Sequence, residues 1–367
     1  AMLDDPVYMA RALRLAERGR YSTQPNPRVG CVIVREGRVV GEAFHQQAGQ
    51  GHAEVLALQQ AGDGARGADV YVTLEPCSHH GRTPPCAEAL IRAGVARVIV
   101  AMQDPNPLVS GRGIAKLRAQ GIQVRTGICA AEAEQLNRGF IRRMQRGRPF
   151  VTLKLATSLD GRIAMQSGES IWITSEAARR DVHRLRLESC AVVTGINTVL
   201  KDNPKLTARL RREDLDPAYH ISGRQPLRVV LDRTRSLSAQ AAICQQEGET
   251  VCVSAQGETA SNDYRGSAIA LPASPEGVDL GALLDWLGER ETNKLLVETG
   301  GTLAASFVQQ GLVDELIVYQ SPDIMGASAQ AMLKLPEILK MSEKIKFEYR
   351  DLRTIGRDLK ITLTAQH

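Results

Sequence analysis

Two periodicities alternate along the chain. From Asp4-Asp5-Pro6, a cap and a first-turn proline, apolar residues recur at helical spacing through Met9, Ala12, Leu13 and Ala16, and Gly19 closes the run. Residues 30–34 and 38–42 then read as strands flanking Glu36-Gly37, which predicts a β-hairpin. Helix over 52–60, strand over 69–74, helix over 86–93, strand over 97–102, helix over 114–119 and strand over 122–125 follow. Further on, strands are expected at 150–156, 191–194, 227–231, 250–253, 294–298 and 316–319, with helices at 176–187, 280–289 and 303–310. Strands at 346–350 and 359–364 close the chain. Such alternation predicts α/β architecture, with sheets covered by helices.

The stretch Arg142-Arg143-Met144-Gln145-Arg146-Gly147-Arg148-Pro149 is charged, and Gly147 and Pro149 interrupt any helix. We read it as a solvated linker between a domain over 1–147 and a second over 148–367. A length of 367 residues fits two domains, each able to bury its own core.

Composition narrows the class. With 43% hydrophobic and 24% charged residues the chain is of ordinary globular type. Neither a membrane-length apolar run nor a secretory leader pattern is seen, and Ala1 before Met2 reads as a tag remnant. The net charge of +5 is dispersed and aromatics make up 4%, so stacking surfaces for nucleic acid are not expected. Scattered arginines suit phosphorylated small molecules instead. Seven cysteines at irregular spacing argue against a disulfide framework and for a reducing cytoplasm.

The sharpest local chemistry is His52-Ala53-Glu54, then Pro76-Cys77, then Cys86 after the eight residues 78–85. One imidazole and two thiols would hold Zn²⁺ with the fourth tetrahedral position open. Both cysteines fall at element ends, and the start of a helix at Cys86 favours a thiolate. Such a metal acidifies water, and Glu54, near a ligand yet not one itself, is placed to shuttle protons to a leaving amine. H-x-E followed by P-C and a second cysteine is the logic of zinc nucleobase deaminases. A closed site with His79 or His80 as fourth ligand stays open as an alternative.

Together with Pro25-Asn26-Pro27-Arg28-Val29-Gly30, the segment Thr73-Leu74-Glu75-Pro76-Cys77 through Cys86, and Asp104-Pro105-Asn106-Pro107, these motifs resemble the pyrimidine deaminase of the riboflavin pathway. In that family the eight-residue insert is normal. The resemblance implies a cytidine-deaminase-like mixed sheet with flanking helices, one zinc per chain, and substrate contacts at Asn26, His45, His79, Arg82, Asp104 and Asn106.

In the second half, Lys154 to Ala164 reads as a strand running into a polar turn with Lys154 and Asp160 at its end. Val297-Glu298-Thr299-Gly300-Gly301-Thr302 reads as a buried strand, a glycine pair and a helix start, a geometry that cradles phosphate. It lacks G-x-G-x-x-G, so no Rossmann fingerprint is present. With Trp172-Ile173-Thr174-Ser175 and Gly195 through Pro204, this half resembles the reductase of the same pathway, a dihydrofolate-reductase-like fold using NADPH.

The resemblance implies cofactor contacts at Ala156, Trp172, Thr198, Asp202, Gly300, Gly301, Thr302, Leu303, Ala304, Ala305 and Ser306. It implies substrate contacts at Ser170, Arg186, Leu206, Arg209 and Glu298, with Lys154 and Asp160 acting on the sugar. Thr299 and Arg233 depart from the family pattern; Arg233 would grip a 2′-phosphate or face solvent. The implied activity is bifunctional: zinc-dependent deamination of a phosphoribosylaminopyrimidine, then NADPH-dependent reduction of its ribosyl chain to ribityl. The partner is then a phosphorylated pyrimidine, and a homo-oligomer is the family's habit. Two rivals are a deaminase acting on a tRNA base and a zinc-stabilised interaction protein without catalysis. Sparse aromatics speak against the first and Glu54 against the second.

Overall fold

The expected hairpin forms. Glu36 and Gly37 both take positive φ, 51° and 74°, as a two-residue turn matched to strand twist requires. They join β1 (Gly30–Arg35) to β2 (Arg38–Phe44). The computed structural model describes residues 4–81, 83–258 and 262–366, and the chain divides into two units. The first comprises Ala1–Gly147 with Arg212–Gly223, the second Arg148–Arg211 with Arg224–His367.

The first unit contains α1 (Asp5–Glu17), β1, β2, α2 (Ala53–Ala61), β3 (Asp69–Val72), α3 (Cys86–Ala93), β4 (Arg97–Val100), α4 (Arg112–Ala119), β5 (Gln123–Thr126), α5 (Ala130–Leu136) and α6 (Arg138–Arg146). Its sheet is mixed, in the order β2-β1-β3-β4-β5, antiparallel at β1 and parallel from β3 onward. Side chains alternate across it. Cys31, Ile33, Val70 and Val72 pack with α2, α3 and α4, while Val32, Val34, Tyr71 and Ile99 pack with α1 and α5. Gly30 is needed for this layering, because a methyl there would lie 1.9 Å from the Ala12 carbonyl oxygen of α1.

The second unit contains β6 (Phe150–Thr157), β7 (Arg162–Ala164), α7 (Glu176–Glu188), β8 (Ala191–Gly195), α8 (Ile196–Asp202), β9 (Leu227–Leu231), β10 (Thr250–Ala255), β11 (Ser267–Leu271), β12 (Ala273–Ser274) and β13 (Gly277–Val278). It continues through α9 (Leu280–Glu289), β14 (Lys294–Glu298), α10 (Gly301–Gln309), β15 (Glu315–Gln320), β16 (Gln330–Ala331), β17 (Phe347–Ile355) and β18 (Asp358–Ala365). The main sheet runs β11-β10-β9-β8-β14-β6-β15-β18-β17. It is parallel as far as β15, and β18 and β17 add antiparallel strands at one edge. One face packs on α9 and α10 and the other on α7 and α8. The carboxyl ends of β6, β8, β9 and β14 therefore point to one crevice, where sites of such sheets open.

The expected linker needs correction. Residues 142–146 are the last turns of α6, and the helix stops where Gly147 turns left-handed at φ 70°. Arginine-rich sequence made this segment look like solvated coil, yet arginine is a good helix former. The helix expected at 303–310 begins earlier, at Gly301 with Gly300 as its cap. Helices α5 and α8, of seven residues each, and the short strands β7, β11, β12, β13 and β16 are too brief to show a clear period, while the amphipathic pattern of α6 is obscured by its arginines.

Candidate active sites

In the first unit, His52 caps α2 with extended backbone, so its ring leaves the helix axis while Glu54 enters the first turn. Cys77 follows β3, and Cys86 opens α3 behind Pro85. The ligand atoms of His52, Cys77 and Cys86 all lie within 4.8 Å of one another. His52 Nδ1 is 3.2 Å from Cys86 Sγ and 3.8 Å from Cys77 Sγ. Borderline and soft donors at this spacing fit a tetrahedral zinc ion, and the exposed His52 leaves one side open. Among the described residues neither His79 nor His80 joins the cluster, and His80 instead lies 3.6 Å from Glu88. A closed four-ligand site therefore finds no fourth ligand there.

The Cys77 thiol is pulled down, first by the Cys86 thiol, then by His52 and the Cys86 amide. That amide donates to Cys77 Sγ at 3.2 Å. Cys86 is pushed up, first by its thiol's contact with the Cys77 thiol and then by burial. Glu54 is buried at 4% exposure, and desolvation lifts its carboxyl to about 7 against opposing contacts with Cys86 and His52.

Around this centre, His45 is buried and its two nitrogens are both used. Nδ1 lies 3.0 Å from the Gly51 carbonyl oxygen and so carries the proton, leaving Nε2 to accept from Asn26 Nδ2 at 3.1 Å. Burial lowers its pKa, which keeps that neutral tautomer. Asp104 and Asn106 stand in one loop, where Asp104 Oδ1 accepts the Asn106 amide at 2.8 Å and Asn106 Oδ1 the Leu108 amide at 3.0 Å. Each of these side chains still has acceptor capacity for a ligand. His79 is exposed, and Arg82 lies outside the described residues. Sequence reasoning assigned no role to Glu75, whose buried carboxylate accepts amides from both ends of the 104–111 loop.

In the second unit a cleft of about 1220 Å³ opens at the carboxyl ends of the parallel strands. It is lined by Lys154, Ala156, Ser170, Trp172, Arg186, Thr198, Asp202, Leu206, Arg209 and Glu298, and by Gly300 to Leu303, Ala305 and Ser306. Glu298 is 5% exposed and binds Arg186 at 2.6 and 2.9 Å, with Lys154 Nζ at 3.5 Å. Burial alone would raise its carboxyl, but Arg186 and Lys154 outweigh that and hold it at about 2. Leu206 stands in the left-handed region at φ 55°, an uncommon conformation for a branched side chain.

Gly300 and Gly301 start α10 without a side-chain cap or an acidic residue in the first turn. The first-turn amides from Gly301 onward have no partner within the helix and suit an anionic group. A methyl on Gly301 would meet the Ala331 carbonyl oxygen at 3.0 Å, so this helix start is closely seated. Thr198 Oγ1 accepts the Gly300 amide at 3.2 Å. Trp172 is 69% exposed, with the Arg179 guanidinium 4.0 Å from its ring centroid. These groups fit a phosphorylated cofactor with flat rings.

Two expected contacts are placed elsewhere. Asp160 is not among the cleft-lining residues; it accepts from Ser158 Oγ at 2.5 Å and from the Met325 and Gly326 amides at 3.0 and 2.8 Å. Those donors hold its carboxyl at about 2 and occupy it with loop anchoring. Ala304 is fully buried, on the face of α10 that packs on the sheet. Arg233 does line the cleft and faces Glu258 at 3.6 Å.

His183 is a cleft residue that sequence reasoning missed. It accepts the Arg209 amide at Nδ1, 3.0 Å away, and its pKa falls to about 4 through burial and the nearby Arg186 and Arg209. Its place three residues before Arg186 on α7 was an available signal.

Residues 2–102 match the family model described as the cytidine and deoxycytidylate deaminase zinc-binding region, and residues 149–361 match the RibD C-terminal domain. The riboflavin biosynthesis protein RibD of Escherichia coli (strain K12) is 49% identical over 99% of this chain and 100% of its own length. A solved structure of Acinetobacter baumannii RibD superposes with TM-score 0.91 at 43% identity, covering 100% of both chains. A diaminohydroxyphosphoribosylaminopyrimidine deaminase/5-amino-6-(5-phosphoribosylamino)uracil reductase from Thermotoga maritima superposes with TM-score 0.86 at 34% identity, covering 99% of each.

Proposed function

The chain belongs to the RibD family of riboflavin biosynthesis and is a bifunctional deaminase and reductase, and from that premise we propose how its residues divide the work. Residues 1–147 carry the deaminase and 148–367 the reductase. The substrates are those of the Thermotoga maritima relative. The 2-amino group of 2,5-diamino-6-(5-phospho-ribosylamino)pyrimidin-4(3H)-one is exchanged for oxygen from water with loss of ammonia, and the ribosyl chain is then reduced to ribityl.

In the first unit His52, Cys77 and Cys86 hold zinc. Zinc bound there supplies Lewis acidity that makes water nucleophilic near neutral pH. Glu54, held in the first turn of α2 beside Cys86, takes the proton of the attacking water and returns it to the departing amine. Asn26, His45, Asp104 and Asn106 contact the pyrimidine, and His45, held in one tautomer, fixes the Asn26 amide through Nε2. His79 and Arg82 take the sugar phosphate side.

In the second unit Ala156, Trp172, Thr198, Asp202 and the start of α10 hold NADPH, which supplies hydride to the sugar. Lys154, Ser170, Arg186, Leu206 and Arg209 bind the substrate, and Glu298 keeps Arg186 and Lys154 aligned. Asp160 positions its loop and leaves catalysis to the cleft residues.

No helix of the described residues is long and apolar enough to cross a membrane. Seven free cysteines support a reducing cytoplasm. Exposed Leu339, Met341 and Tyr349 near edge strand β17 support self-association, and the low aromatic content supports a small-molecule rather than nucleic-acid partner.

The observation that carries this reading is the converged His52–Cys77–Cys86 triad with a buried carboxylate beside it. Glu54→Gln should retain zinc and lose ammonia release by at least about a hundredfold. Wild-type deamination by that variant contradicts the reading.

A further inference from the structure

We propose that Glu75 is a positioning residue of the deaminase, fastening the loop that carries Asp104 and Asn106 to the segment that carries Cys77. The inference rests on the reading of Asp104 and Asn106 as substrate contacts. Glu75 stands two residues before Cys77 and is 6% exposed. Its Oε1 accepts the amides of Asp104 at 3.1 Å and Gly111 at 2.9 Å, the two ends of the 104–111 loop. Its Oε2 accepts the amides of Gly113 at 2.9 Å and Ile114 at 3.4 Å. These last two belong to the first turn of α4, where amides have no partner within the helix and Gly111 offers no side-chain cap.

One carboxylate therefore closes the loop and caps the helix that follows it. The helix start is also seated on the metal-bearing segment, because a methyl on Gly113 would lie 2.0 Å from the Pro76 carbonyl oxygen. Inside the loop, Asp104 and Asn106 shape the chain through their own short turns. Those turns set the loop's form but not its place. Glu75 supplies the place, and Asp104 stands near enough to Cys77 and His79 for their charges to act on it.

Glutamine is the informative replacement. Its amide offers a single carbonyl oxygen, so one of the two donor pairs would face N–H groups instead of an acceptor. Loss of two charge-assisted bonds should loosen the loop without removing any metal ligand.

The test uses the full-length, zinc-loaded enzyme and three readouts: zinc content, amide exchange at Asp104, Gly111 and Gly113, and KM against kcat from ammonia release. Glu75→Gln should keep its zinc, exchange those amides faster, and raise KM about tenfold or more, with kcat changed far less. Gly113→Ala leaves the carboxylate intact but displaces the helix start, and should raise KM in the same direction. An unmoved KM in either folded variant overturns the proposal, as does loss of zinc accompanied by a fall in kcat alone. If Glu75→Gln does not fold, Gly113→Ala decides. Ammonia release that survives Glu54→Gln would sink the deaminase reading itself. An unmoved KM in Glu75→Gln, in an enzyme that Glu54→Gln silences, sinks only this inference.

Discussion

Arg186 grips the Glu298 carboxylate through two nitrogens, Nε at 2.6 Å and Nη2 at 2.9 Å, at the inner wall of the second unit's cleft. A third guanidinium nitrogen, Nη1, donates to the Thr207 carbonyl oxygen at 3.1 Å. The planar fork is therefore fixed on two sides, and lysine offers no equivalent. Arg186→Lys should lower reductase kcat/KM by about tenfold or more while ammonia release is unchanged. Equal loss of both activities would point to misfolding rather than a local role.

Removing the acid instead strands two cations. Glu298→Gln leaves Arg186 and Lys154 without their shared counter-charge in a buried site. Breaking one partner of such a pair typically costs about 3–5 kcal/mol. Denaturant unfolding followed on the second unit should show a loss of that order, and a change below about 1 kcal/mol would contradict the burial argument.

Acid sensitivity follows from two groups in the same cleft. His183 titrates at about 4 in the fold against an ordinary 6.5, so the native state favours the neutral ring. Its contribution is complete above pH 6.5 and is lost as pH falls toward 4. Glu298 titrates at about 2 against 4.5, so its contribution disappears between those values. His183→Asn keeps an acceptor for the Arg209 amide and removes the titration. Stability of that variant should therefore vary less with pH between 6.5 and 4, and an unchanged slope there would reject the assignment.

Gly30→Ala probes the first unit's layering. The added methyl would stand 1.9 Å from the Ala12 carbonyl oxygen, so α1 must move off β1. Overpacking of this kind costs about 1–3 kcal/mol or more, and thermal unfolding of the variant should shift down by several degrees. An unshifted midpoint would mean that α1 can slide without cost.

How much of this was legible in the sequence differs between ligands and supports. His52, Glu54, Cys77 and Cys86 were readable because metal chemistry restricts residue type, and His52, Glu54 and Cys86 fall at helix starts while Cys77 lies in the loop after β3. Strands rich in apolar residues, such as β6 and β14, were readable because both faces are largely buried. Glu75 was not, since its partners are backbone amides 29 to 39 positions away and amides leave no mark in sequence. Leu206 was named as a contact, but its left-handed backbone could not be foreseen from a leucine. Asp160 shows the converse: a polar residue at a strand end reads as catalytic, while its carboxylate accepts from Ser158 and two loop amides, which sequence does not reveal.

The most direct measurement incubates the full-length protein with the diaminopyrimidine substrate and NADPH, following ammonia release and NADPH oxidation, with and without a zinc chelator. Both signals should appear together without chelator. With chelator ammonia release should stop, while NADPH oxidation persists when the deaminated pyrimidine is supplied directly. Ammonia release that survives complete zinc removal, or NADPH oxidation that vanishes on the deaminated substrate, would contradict the account.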